Sequence, residues 1–285
     1  MRSRPRIGWC VLAAVLVSAG CSTAQVSHQA GSTAGTPTAD PAILASPGPD
    51  PTVSTPILPP TPTPAPRPLA GEVVGIDPGH NGGNFNAATV IGTQIWNGRE
   101  DEDCDTTGTQ TDAGYTEAQF NFNVARYLRA LLVADGAKVV LTRYTNSGVG
   151  PCVTTRAQII NRAHADVAID IHADGGPASG RGFTILDPVA DGPNDGVIAA
   201  SLRFGADVKA AMLARTGMPA SDYYGAGGVI FRDDLAGLNL TTVPKILIEC
   251  GNMRNATDAA LLVQPAYQRV IAAALAAAIT RFLRR

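Results

Sequence analysis

The sequence predicts a single α/β domain built on a twisted, mostly parallel sheet of about six strands with helices on both faces. Three observations carry that expectation. From Glu72 onward, short apolar runs alternate with amphipathic helical stretches, as βαβ units require. Runs such as Val73-Val74-Gly75-Ile76 and Ile246-Leu247-Ile248 are continuously apolar, as strands covered on both faces are. No internal repeat follows, and 45% hydrophobic content over 285 residues suffices for one large core.

Residues 72–76 form the first strand, which breaks at Asp77-Pro78-Gly79 and delivers His80. Residues 81–114 are rich in Gly, Asn, Thr and Asp with no clear period, and a loop of that length in a compact domain is functional or disordered. Thr116 opens a helix. With Gln119 three residues on it makes a capping box, and Phe120, Val124, Leu128, Leu131 and Leu132 hold one apolar stripe until Gly136. Residues 138–142 are the second strand, and 155–165 a helix with Ile159, Ile160 and Ala163 apolar. Residues 167–172 and 182–186 are the third and fourth strands. A helix over 197–216 ends at Gly217, strands follow at 229–232 and 245–249, and an alanine-rich helix over 266–284 closes the chain.

Residues 1–21 read as a targeting segment. Arg2, Arg4 and Arg6 form a basic start, and the apolar stretch 7–19 is short for a membrane span. Val17-Ser18-Ala19-Gly20-Cys21 resembles a bacterial lipobox, with Ser18 where leucine is usual, which would leave Cys21 as a lipidated N-terminus. Cleavage near Ser22-Thr23-Ala24 is the competing route, and both place the mature chain outside the cytoplasm. Twelve of the 21 prolines lie between Pro37 and Pro68, so residues 22–69 read as an extended, disordered tether. Residues 70–285 carry the fold. The formal net charge of -2, without a long run of like charge, gives no electrostatic case for nucleic acid.

His80, His172 and Glu249 each fall near the carboxyl end of an expected strand, the rim where α/β sheets collect ligands. Glu117, in the first turn of its helix, can face the same rim. Two imidazoles and a carboxylate are a frequent catalytic zinc set, and a further carboxylate can serve as general base. Each residue also has a plain reading. His80 can be a turn residue, His172 a core histidine, and Glu117 a carboxylate favoured by a helix N-terminus. Glu249 closes an apolar run, where an unpaired charge costs several kcal/mol in order of magnitude. It needs a metal, a catalytic role, or an arginine such as Arg143 or Arg156.

Four segments then stand out together: Ile76-Asp77-Pro78-Gly79-His80, Thr116-Glu117-Ala118-Gln119-Phe120-Asn121, Ile169-Asp170-Ile171-His172-Ala173-Asp174 and Ile248-Glu249-Cys250-Gly251-Asn252. In this order they resemble the motif series of zinc-dependent N-acetylmuramoyl-L-alanine amidases, over roughly residue 72 to the C-terminus. Arg156-Ala157 through Asn161-Arg162-Ala163 resembles the family's helix before the second histidine. The resemblance implies that His80, Glu117 and His172 bind one Zn2+, and that Glu249 is the catalytic glutamate. The substrate it implies is the amide between N-acetylmuramic acid and L-alanine in peptidoglycan or its fragments. Arg143 and Asn161 are candidates for supporting these residues or touching substrate, and each has an equal structural reading. Residues 84–114 resemble the loop of small secreted mycobacterial amidases, which implies a single catalytic domain and an open site; a monomer is expected. Strand-end geometry alone also admits another exported zinc amidohydrolase or carboxypeptidase. A wall-binding lipoprotein with a degenerate site would lack a ligand or the base, whereas all four positions are filled.

Of five cysteines, Cys10 and Cys21 lie in the targeting segment. Cys104 and Cys152 both fall in loops of an exported domain and are expected to form a disulfide. Cys250 follows Glu249 on a strand, points to the opposite face, and is expected to be a buried apolar residue.

Overall fold

The computed structural model describes Gly48 and residues 67–285. The targeting segment, Cys21 and nearly all of the tether lie outside the described residues. The core reaches back to Leu69, which is fully buried and donates its N–H to Asp135 O at 2.9 Å.

The main sheet contains β1 (Val73–Pro78), β4 (Lys138–Leu141), β5 (Val167–Asp174), β6 (Thr184–Pro188), β7 (Val229–Arg232) and β8 (Lys245–Asn252). Its order is β4-β1-β5-β8-β6-β7. Every neighbouring pair is parallel except β8 and β6, which run antiparallel. The expected six strands are present, and the single reversed pair makes the sheet mixed. The chain leaves β1 toward β4 on one side and returns to β5 on the other. The carboxyl ends of β1 and β5 therefore flank a topological switch point, where open α/β sheets place ligands.

Helices cover both faces. On one side α2 (Glu117–Ala134), α4 (Ile198–Arg215) and α7 (Pro265–Leu283) bury the main core. Val74 and Ile76 of β1, Ile169 and Ile171 of β5, and Ile246, Ile248 and Cys250 of β8 face it. Cys250 is fully buried there, as expected. On the other side α3 (Val153–Arg162) and α5 (Ala236–Asn239) cover two small apolar clusters around Ile160 with Ala168, and Leu238 with Leu247. Strand residues alternate between faces. The same alternation that sends isoleucines to the large core sends Asp77, Asp170, His172, Lys245 and Glu249 to the thinner side.

Two parts of the fold differ from expectation. Residues 81–114 are ordered: α1 (Ala88–Ile91) precedes a hairpin of β2 (Gln94–Trp96) and β3 (Asp101–Asp103). The signal for it was the Asn97-Gly98 pair, since Gly98 takes φ +106°, a conformation a hairpin turn uses. After β8, α6 (Ala256–Leu262) is capped by Asn255, whose side chain accepts from the N–H groups of Thr257 and Asp258. The expected capping box at Thr116 is half made, since Thr116 accepts from Gln119 N while the Gln119 side chain donates to Asn123.

Cys104 and Cys152 are bonded, with Cα atoms 4.5 Å apart and a sequence separation of 48. The bond joins the end of β3 to the first turn of α3, where Val153 N also donates to Cys104 O at 2.8 Å. Closing a loop of this size is worth up to about 4 kcal/mol in the chain-entropy model. Replacing both cysteines by alanine is expected to cost about 2–4 kcal/mol, read from urea midpoints at constant slope. An unchanged midpoint would mean that the 81–114 segment is held by its hydrogen bonds alone.

Candidate metal centre

The site begins with a turn that the backbone cannot make cheaply. Leaving β1, the chain passes Gly79 and places His80 at φ +57°, a left-handed conformation uncommon for a side-chain residue. Two buried arginines hold it there. Arg143 donates to Pro78 O (2.9 Å), Gly79 O (3.2 Å) and Ala118 O (2.8 Å). Arg156 donates to Pro78 O (2.8 Å) and His80 O (2.9 Å). Gly79 has no alternative, because a Cβ there would stand 2.1 Å from the His172 ring. Arg143 therefore supports the histidine turn, one of its two candidate roles. Neither arginine hydrogen-bonds or ion-pairs with Glu249.

His80, Glu117 and His172 converge, each offering one ligand atom, and those atoms lie within 4.8 Å of one another. Glu117 Oε1 is 3.3 Å from His80 Nε2 and 2.8 Å from His172 Nδ1. The imidazoles meet edge to face, with centroids 4.8 Å apart. Each differs in source. His172 lies on β5 two residues before its end, Glu117 is the first residue of α2, and His80 sits beyond β1. Thr109 N donates to Glu117 Oε2 at 2.9 Å, and Asn121 Nδ2 reaches Glu117 Oε1 at 3.3 Å. Gly108 passes so close that a Cβ would come within 2.5 Å of His80 and 2.7 Å of Glu117. Residues 105–109 thus form one wall of the site, while the imidazole side chains keep 12% and 15% exposure.

Glu249 pairs with His172 in the β5–β8 register, on the same side of the sheet. Among the described residues its Oε2 is buried without a hydrogen-bond partner. Nearby, Tyr223 Oη donates to Asp174 Oδ2 at 2.7 Å, and the Tyr223 ring rests where Gly176 and Gly180 carry no Cβ. Asn161 is not brought to the site; it donates to Leu240 O and accepts from Thr242 N, joining α3 to the segment before β8.

The electrostatics follow from burial and these contacts. Burial disfavours the His80 imidazolium, but Glu117 and Asp105 outweigh it and push its pKa up to about 9. Burial likewise opposes charge on His172, and Asp170 and Glu117 raise its pKa well above the ordinary value. Glu117 shows the reverse: burial would raise it, and His80 and His172 hold it well below the carboxylate range. Burial pushes Glu249 up to about 8 against the pull of His172, with Glu117 and Asp174 adding to the rise. Two imidazoles and a carboxylate match the donor set of a catalytic zinc, which leaves a coordination position open. A cation there would also relieve Glu249, whose buried oxygen has no other partner.

Metal ligands must give up their protons. Glu117 with Asp105 favours the protonated His80, and Asp170 with Glu117 the protonated His172, against the opposing effect of burial. Binding of Zn2+ is therefore expected to release protons. Affinity should rise with pH from 6 to 9, by about tenfold per displaced proton per pH unit. Calorimetry in buffers of differing ionisation enthalpy reads the release directly, and a pH-independent affinity would contradict the placement of the ligands.

Comparison with known proteins gives one consistent result. A family model described as N-acetylmuramoyl-L-alanine amidase matches residues 74–281. An N-acetylmuramoyl-L-alanine amidase of Mycobacterium tuberculosis is 40% identical over 225 residues, covering 76% of this chain and 89% of the relative. The crystal structure of the amidase Ami1 from Mycobacterium smegmatis superposes with a TM-score of 0.71 at 38% identity, over 75% of this chain and 98% of that one. The apo form of Ami1 from Mycobacterium abscessus gives 0.71 at 39% identity, over 75% and 100%. On this match, which spans the whole sheet and every residue of the site, the chain belongs to the N-acetylmuramoyl-L-alanine amidase family.

Proposed function

We propose that this enzyme cleaves the amide between N-acetylmuramic acid and L-alanine with one zinc ion held by His80, Glu117 and His172, and with Glu249 as general base and acid. The observation that carries the reading is the pairing of a three-ligand cluster with a separate, unpartnered carboxylate on the neighbouring strand. Zinc, when bound, supplies a Lewis acid that polarises the amide carbonyl and makes water acidic near neutral pH.

Glu249 does the proton work. In its ionised form it accepts a proton from the attacking water. It then returns that proton to the amide nitrogen, so that L-alanine leaves as a neutral amine rather than as an anion. Burial has already moved its pKa to about 8, close to the pH at which a group can both take and give a proton. A positive charge at the ligand cluster favours the ionised form that begins the cycle. Glu117 cannot share this task, because two imidazoles hold it as a low-pKa carboxylate. The wall formed by residues 105–109 shelters the ligands on one side.

The proposal extends to placement. The basic start, short apolar stretch and Cys21 of residues 1–21 support export with or without a lipid, and residues 22–69 would tether a monomeric domain within reach of the wall. Muropeptides and the polymer are the ligands expected.

The test uses a defined muropeptide, with products identified by mass. Hydrolysis should release an intact stem peptide beginning at alanine, and should stop when a chelator removes the metal. Glu249→Ala should lower kcat by about 10²–10⁴-fold while zinc remains bound. Cleavage inside the stem peptide would favour a carboxypeptidase. Full activity of Glu249→Ala would remove it from the mechanism.

A further inference from the structure

Behind the ligand cluster lies a second layer of charge that the reaction itself does not call on. Each imidazole turns one nitrogen toward Glu117 and the other toward an aspartate. His80 faces Glu117 with Nε2 and Asp105 Oδ1 with Nδ1, at 3.3 Å in each case, and Thr106 O and Oγ1 stand 3.2 Å from the same Nδ1. His172 does the opposite, facing Glu117 with Nδ1 at 2.8 Å and Asp170 Oδ1 with Nε2 at 3.2 Å. The two aspartates are the ends of one buried chain. Asp105 Oδ2 meets Arg156 at 3.0 Å, Arg156 meets Asp77 Oδ1 at 3.0 Å, Asp77 Oδ2 meets Lys245 at 3.0 Å, and Lys245 stands 3.7 Å from Asp170 Oδ2.

We propose that Asp105 and Asp170 are positioning residues that fix opposite tautomers of the two imidazoles, so that His80 offers Nε2 and His172 offers Nδ1 to the cation, and that Lys245 and Arg156, bridged by Asp77, hold both aspartates in place. The inference rests on the zinc reading above and deepens it.

Lys245 is the member hardest to account for otherwise. It is one of three lysines in the chain and is 1% exposed. Burying an ammonium is costly unless it is paired. Its only partners among the described residues are Asp77 and Asp170. Gly237 of α5 closes over the pair, where a Cβ would stand 3.4 Å from Asp170 Oδ2 and 3.5 Å from Lys245 Nζ. Asp170 is the member with capacity to spare. Its Oδ1 has no hydrogen-bond partner although His172 Nε2 is 3.2 Å away, because the ring N–H is not aimed at it. A proton on Nε2 and a small turn of the ring would complete the bond, and that proton leaves Nδ1 free to bind a cation. Aspartates hydrogen-bonded to ligating histidines set both tautomer and basicity in this way, and their loss weakens metal binding by about 10–100-fold.

The experiment uses the Zn2+-loaded full chain. It has four histidines, so long-range proton–nitrogen NMR correlations can assign each ring. His172 should carry its proton on Nε2 and His80 on Nδ1, with the other nitrogen of each metal-bound. Asp170→Asn should weaken Zn2+ binding by the folded protein about 10–100-fold, measured by competition with a chromophoric chelator. The same ring nitrogen protonated on both histidines would overturn the inference. So would unchanged affinity in Asp170→Asn, or lower metal-free stability with affinity of the folded protein intact, which is what a purely structural aspartate predicts. If Asp170→Asn fails to fold, the wild-type tautomer pattern decides alone. If the wild-type protein takes up no Zn2+, the zinc reading falls and takes this one with it. Zinc uptake with the wrong tautomers defeats this inference only.

Discussion

The constraint on which the rest of the structure depends is the buried charge chain running Asp105, Arg156, Asp77, Lys245, Asp170 beneath the sheet's switch point. Asp77 is its centre. It accepts from Thr142, Arg156 and Lys245 and is held far below the usual carboxylate range, since burial is outweighed by Lys245 and Arg156. Such a chain is not an efficient source of stability, because desolvation offsets most of its Coulomb gain. Its effect is selective. Removing one member leaves a buried charge uncompensated, at about 3–5 kcal/mol. Only the arrangement that brings β1, β5, β8, α3 and the Cys104 segment together satisfies every member. That same arrangement brings together the three candidate ligands.

Local geometry then does the fine placement. Arg143 and Arg156 each donate to two carbonyls of the turn after β1. This stabilises the left-handed backbone at His80, which by itself would cost of order 1 kcal/mol or more. The disulfide fixes Cys104, so Asp105 arrives beneath His80 from a segment with little core of its own. The pairing of β5 with β8 sets His172 beside Glu249. The chemistry is therefore assembled from four distant parts of the chain by elements whose apolar faces are buried elsewhere.

Much of this was legible in the sequence. The six strands and the long helices were readable because each pairs a clear hydrophobic period with a cap or a glycine stop. Glu249 was readable because a carboxylate closing an apolar run is costly without a purpose, and His80, Glu117 and His172 became readable through their place in the motif series. The reversal between β8 and β6 was not, since strand direction leaves no mark on a fully buried apolar run. The hairpin was missed because its strands are three residues each, too short to show a period, with only Asn97-Gly98 to announce a turn. The charge chain was hidden for a different reason. Asp77, Asp170 and Lys245 looked like ordinary polar residues, and nothing local says that residues 168 apart will pair. Asn161 was singled out by its place in a motif and serves to join α3 to the segment before β8.

The central claim is that His80 Nε2, Glu117 and His172 Nδ1 share one zinc ion beside Glu249. Anomalous diffraction at the zinc edge, from crystals of the Zn2+-loaded protein, tests it most directly. A single strong peak is expected, bonded to those three atoms at about 2.0–2.2 Å, with Glu249 close by and outside the ligand set. A peak elsewhere in the domain, or one in which Glu249 replaces Glu117 as ligand, would contradict it.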